Sequence, residues 1–117
     1  MSPPSPSVPV RVNHASPTGY LNALPGIQRK TAVEGPRTQL VEFTLVQGAV
    51  IPLHAHPQEQ TGYLVSGHMI LTIAQVDHPM RPGDSWMIPG GVEHSAKILE
   101  DSVAIEVFAP AREDYRT

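Results

Sequence analysis

His54 and His56, separated only by Ala55, and a third histidine, His94, are the residues of this chain best suited to chemistry. Side chains on a β-strand alternate between faces, so His54 and His56 project the same way and Ala55 the other, setting two imidazoles side by side. Imidazole suits first-row transition metals. With Gln60 as a third ligand and the distant His94 as a fourth, one or two positions stay open for water or substrate, as a catalytic metal site requires. The chain has no cysteine, so every candidate ligand is nitrogen or oxygen and no disulfide framework exists. The expected cofactor is one divalent transition metal, drawn from Ni, Zn, Fe, Mn or Co. Three neutral imidazoles and a neutral amide leave the dication charge uncompensated, which favours an anionic ligand and tilts the chemistry towards Lewis-acid rather than redox work.

The donors sit in two longer patterns, Gly48-Ala-Val-Ile-Pro-Leu-His54-Ala-His56-Pro-Gln-Glu-Gln60-Thr-Gly-Tyr-Leu-Val-Ser-Gly67 and Gly83-Asp-Ser-Trp-Met-Ile-Pro89-Gly-Gly91-Val-Glu-His94. These resemble the two motifs of the cupin superfamily, in which glycine, His-x-His, Glu or Gln and glycine are followed by Gly-x5-Pro-x-Gly-x2-His. Counting forward from His56 and back from Gly67 both place the third ligand at Gln60 rather than Glu59. The second motif often continues to an Asn four residues past its His, where this chain has Ile98. The resemblance implies a double-stranded β-helix, the jelly-roll barrel of the cupins, and one metal held by His54, His56, Gln60 and His94. Cupins often pair through sheet edges, so a homodimer is the expected assembly.

Near the C-terminus, Glu106 and Phe108 share one face of a strand, opposite Val103, Ile105 and Val107. If that face is the outer one, Glu106 is an ordinary surface acid. If it points into the barrel, burial raises its pKa and fits it for proton transfer, with Phe108 as an apolar wall. Arg112 lies just past the strand, either as a solvated tail charge or as a bidentate partner for a substrate carboxylate at the cavity mouth. Glu106-x-Phe108-x3-Arg112 followed by Glu-Asp-aromatic is similar to the ending of the small cupins that linearise unsaturated uronates in pectin and alginate breakdown. That group uses His-His-Gln-His metal sites and usually has Asp where this chain has Glu106. The resemblance implies ring opening of a 4,5-unsaturated uronate, with Glu106 moving the proton, Arg112 holding the carboxylate and Phe108 beside them. Two rival readings are a metal-dependent dioxygenase of a small organic substrate and a non-catalytic binder of small ligands.

At 117 residues the chain has room for one core. Residues 1–7, Ser and Pro apart from Met1, read as a flexible arm, and residues 8–117 as a single domain. Prolines at 9, 17, 25 and 36 favour short strands and turns up to residue 37, with one helical turn at 19–24. From Thr38 the apolar residues alternate, and strands are expected at 60–66, 68–76, 85–88, 94–99 and 103–109, with turns at Ser66-Gly67 and Arg81 to Asp84. The fold class is therefore all-β. Tyr63 is a candidate either for a hydroxyl contact in the cavity or for core packing, while His14, His68 and His78 read as surface or edge residues. The net charge of −3, without a basic cluster, argues against nucleic acid and anionic membranes as partners, so local charge decides substrate preference; the uncompensated metal charge and the resemblance to uronate-linearising cupins imply a small anionic molecule. With no signal-like N-terminus and no long apolar run, a cytoplasmic protein is expected.

Overall fold

A computed structural model describes residues 7–115. Most of the expected arm, residues 1–6, lies outside the described residues. Eight strands follow in order: β1 Leu21–Leu24, β2 Ile27–Glu34, β3 Gln39–Leu45, β4 Val50–His54, β5 Glu59–Ile73, β6 Val76–Met80, β7 Ser85–Ile88 and β8 His94–Ala109. A 3-10 turn, Glu113–Tyr115, comes last. The fold is all-β, an antiparallel jelly roll of the cupin type. Where one helical turn was expected, Leu21–Leu24 instead pairs antiparallel with β2, because a hairpin at Gly26 satisfies the backbone through a ladder.

The two long strands organise the barrel. β5 and β8 pair along their whole length, from Glu59 opposite Ala109 to Ile73 opposite His94. β3 lies on the far side of the second half of β8, and β4 on the far side of its first half. β7 and β6 flank the two halves of β5. Each long strand thus serves both ends of the barrel, and the enclosed face carries the core: Ile27, Leu45, Leu64, Met69, Leu71, Ile88, Ala96, Ile98 and Ala104. Burying each large side chain of this set contributes about 1.5–3 kcal/mol.

The expected turn at Ser66-Gly67 is a bulge inside β5. Inward positions run Gln60, Gly62 and Leu64 before it and Met69 and Leu71 after it, so the phase changes where the register with β8 shifts. Gly67 sits at φ +96°, and a Cβ there would lie 2.1 Å from Ser102 Oγ. Only glycine fits. The reversal falls instead at Ala74-Gln75, both at positive φ, within the segment expected to be extended to residue 76. Likewise the segments 94–99 and 103–109 are one strand, whose even-numbered residues from His94 to Ile98 and from Ser102 to Phe108 all face inward. No helix among the described residues is long and apolar enough to cross a membrane.

Candidate metal centre and its cavity

His54 closes β4, His94 opens β8, and the two are paired in register. Their rings are therefore neighbours, with centroids 4.2 Å apart. His56, two residues on, brings its ring to 5.8 Å from His54 and 5.1 Å from His94. One nitrogen of each ring lies within 4.8 Å of the others. The Gly91 N–H donates to His56 O at 2.8 Å, tying the loop of the first motif to the turn of the second.

The outer nitrogens fix the chemistry of the inner ones. His54 Nδ1 faces Pro52 O at 2.9 Å, His56 Nδ1 faces Gln58 O at 3.1 Å, and His94 Nδ1 faces Val92 O at 2.9 Å. A carbonyl only accepts, so Nδ1 carries the hydrogen in each neutral ring and Nε2 presents a lone pair. His94 Nε2 is buried without a hydrogen-bond partner. His56 Nε2 lies 2.7 Å from Gln60 Oε1, and the Gln60 amide is oriented by its own Nε2–H, which donates to Glu106 Oε2 at 2.6 Å. Two lone pairs that close, with a third orphaned beside them, repel one another unless a cation draws them in. The donor set fits a divalent transition metal held by His54, His56, His94 and Gln60. Burial lowers the pKa of His94 to about 4 and, with the charge of Arg112, depresses that of His56, so both rings are neutral at physiological pH, the form a metal requires.

Glu106 is on the inner face of β8, 8% exposed, not on the outer face where an acid would be ordinary. Its two oxygens accept from Gln60 Nε2 and, at 3.0 Å, from Trp86 Nε1. These bonds suit the anion, but desolvation outweighs them and pushes the carboxyl up to about 8. Phe108, 2% exposed, meets His56 and Tyr115 edge-on at 5.6 and 5.5 Å and walls the space beside them. Arg112 is no solvated tail charge. Its Nε and Nη2 donate to Asp114 at 3.2 and 2.8 Å, its Nη1 to Tyr115 Oη at 3.0 Å, and its guanidinium lies 4.0 Å from the Tyr115 ring centroid.

His54, Gln60, His94, Glu106, Phe108 and Arg112 line one cavity of about 90 Å³, whose remaining wall is largely apolar, including Leu45, Met69 and Leu71. A few polar groups converging on an otherwise apolar wall mark it as the candidate ligand site. Tyr63 does not join it: one residue out of phase with Gly62 and Leu64, it is on the outer face and half exposed. His14 is exposed, and His68 and His78 stand outside the histidine cluster. Reasoning from sequence gave no role to Trp86, nor to Asp114 and Tyr115 of the Glu-Asp-aromatic ending. The signal for Tyr115 was local, an aromatic three residues past Arg112, whereas Trp86 reaches Glu106 only through the register of three strands.

The chain is similar to several solved structures. KdgF from Halomonas sp. is 34% identical, with 81% of this chain and 88% of that one covered and a TM-score of 0.78. An RmlC-like cupin from Shewanella frigidimarina is 26% identical over 92% and 97%, with a TM-score of 0.86. Salicylate 1,2-dioxygenase from Pseudaminobacter salicylatoxidans, 13% identical over 74% of this chain and 27% of that one with a TM-score of 0.71, shares the fold alone. No curated protein sequence matches. The cupin domain family model matches residues 41–109, which hold every donor of the histidine cluster and both long strands, and the chain belongs to that family.

Proposed function

We propose that this chain is a metal-dependent enzyme that opens the ring of a 4,5-unsaturated uronate. The observation that carries this reading is the placement of Glu106, a buried acid bonded to Gln60, in the same cavity as Arg112 and two histidines, His54 and His94, of the three-histidine cluster. The likeness to KdgF from Halomonas sp. supports it, together with the resemblance of the chain's ending to that of the uronate-linearising cupins. Similarity to a dioxygenase at the level of fold supports no comparable assignment.

A metal held by His54, His56, Gln60 and His94 would supply Lewis-acid polarisation of sugar oxygens. Arg112 binds the sugar carboxylate, and Phe108 with Tyr115 excludes water beside it. Glu106 takes the proton of the anomeric hydroxyl; as C1 becomes an aldehyde the C1–O5 bond breaks, and O5 keeps the electron pair as the enolate of C4 and C5. The proton then passes from Glu106 to C4, and C5 becomes the ketone. Atoms balance without water or oxidant. The raised pKa of Glu106 suits it to both halves of this transfer, since an acid near the working pH gives and takes a proton readily.

The test is the absorbance of the conjugated C4=C5 bond in freshly generated unsaturated galacturonate. Metal-loaded protein should speed its decay well beyond the spontaneous rate. If it does not, the uronate reading fails, and oxygen uptake by anaerobically iron-loaded protein becomes the deciding measurement.

A further inference from the structure

We infer that Trp86 is a positioning residue for Glu106, reaching it across the gap that Gly62 leaves in the strand between them. Trp86 on β7 pairs with Gly62 on β5, and Gly62 pairs with Glu106 on β8, so the three form one row across the sheet. The indole crosses the empty middle position and its Nε1–H donates to Glu106 Oε1 at 3.0 Å. A Cβ on Gly62 would lie 2.2 Å from both Cε2 and Nε1 of Trp86. No side chain can occupy that position without displacing the indole. Gly62 is in ordinary extended backbone, so closeness to Trp86, and not a turn, is what requires glycine there.

The bond has a geometric consequence for the carboxyl group. Gln60 holds Oε2 from one side and Trp86 holds Oε1 from the other, which fixes rotation of the carboxyl plane. Glu106 and Gln60 line the cavity, but Trp86 does not. Trp86 therefore acts through Glu106 without touching a ligand. A core tryptophan needs some partner for its N–H when buried; here that partner is an acid that lines the cavity.

The turnover part of the test rests on the uronate reading; the spectroscopic part does not. Trp86 is the chain's one tryptophan, so its indole N–H gives a single proton–nitrogen resonance. That resonance should stand downfield in the native protein and move upfield both in Glu106→Leu, which removes the acceptor, and in Gly62→Ala, which pushes the donor away. An indole resonance unmoved by Glu106→Leu would overturn the inference, whatever the reaction. Trp86→Phe keeps an aromatic ring and removes the donor. It should lower kcat about 10- to 100-fold, with KM and metal stoichiometry unchanged. A fall in thermal stability with native kcat would mean that Trp86 only fills the core, and the inference would be lost. Should wild type prove inactive on the uronate, the indole resonance decides alone, and if Gly62→Ala does not fold, the other two variants suffice.

Discussion

At the scale of single residues, the three histidines do different jobs despite equivalent chemistry. His94 is buried with an orphaned Nε2, His54 is paired to it across two strands, and His56 connects the cluster to Gln60 and through it to Glu106. His56→Ala should therefore release the metal while circular dichroism still reports a β fold; stoichiometric metal in that variant would remove His56 from the ligand set. Glu106→Gln keeps side-chain volume but cannot shuttle a proton. Metal content and KM should persist while kcat falls about 10²-fold or more. Arg112→Ala should act on binding instead. A guanidinium already aligned by Asp114 and Tyr115 loses little freedom when it meets a carboxylate, so its removal should raise KM by about 2 kcal/mol, roughly 30-fold, with kcat less affected.

Among elements, the turn between β5 and β6 stands out as a local conflict. Ala74 and Gln75 have φ of 48° and 70°, the pattern of a two-residue hairpin that favours Asn-Gly. An Ala74→Asn, Gln75→Gly double substitution should stabilise the protein by about 1 kcal/mol, a few degrees in a thermal melt, without altering metal content. An unchanged or lower Tm would mean that the left-handed residues carry no relievable strain. The same turn shows why parts of the fold were hard to read. Ala-Gln carries no turn signature, so the segment reads as strand, whereas Gly67 carries a strong one and is only a bulge. The clustering of His54, His56 and His94 beside Gln60 was legible because strand alternation fixes His54 and His56, and the motif glycines fix the intervals to Gln60 and His94. Alternation could also have excluded Tyr63, which lies an odd number of residues from Gln60. The side of the barrel that Glu106 faces was undetermined, because Val103, Ile105 and Val107 offer an equally apolar alternative; the pairing of β8 with both β3 and β5 decides it. The bond from Trp86 to Glu106 has no local trace at all.

For the whole molecule, folding and metal binding compete for the same protons. In the metal-free protein His94 is lowered from 6.5 to about 4, so its contribution to stability is present above pH 6.5 and lost as the pH falls towards 4. Glu106 is raised from 4.5 to about 8, so its contribution is complete below pH 4.5 and is lost as the pH rises through 8. Between pH 4.5 and 6.5 the two trends oppose one another. Above 6.5 only Glu106 of this pair still contributes a slope, and the metal-free protein should lose stability at up to about 1.4 kcal/mol per pH unit while the buried carboxyl keeps a proton that the unfolded chain has already released, the loss levelling off above pH 8. A bound dication reverses that preference, because the anion then has a cation near it. Thermal melts from pH 6.5 to 8 should therefore show Tm falling in the presence of a chelator, and the gap between metal-loaded and metal-free protein widening with pH. Glu106→Gln should flatten the metal-free curve, since the amide does not titrate. A metal-free Tm that rises over this interval, or one that falls equally in Glu106→Gln, would show that Glu106 is not the group whose proton couples the fold to the metal centre.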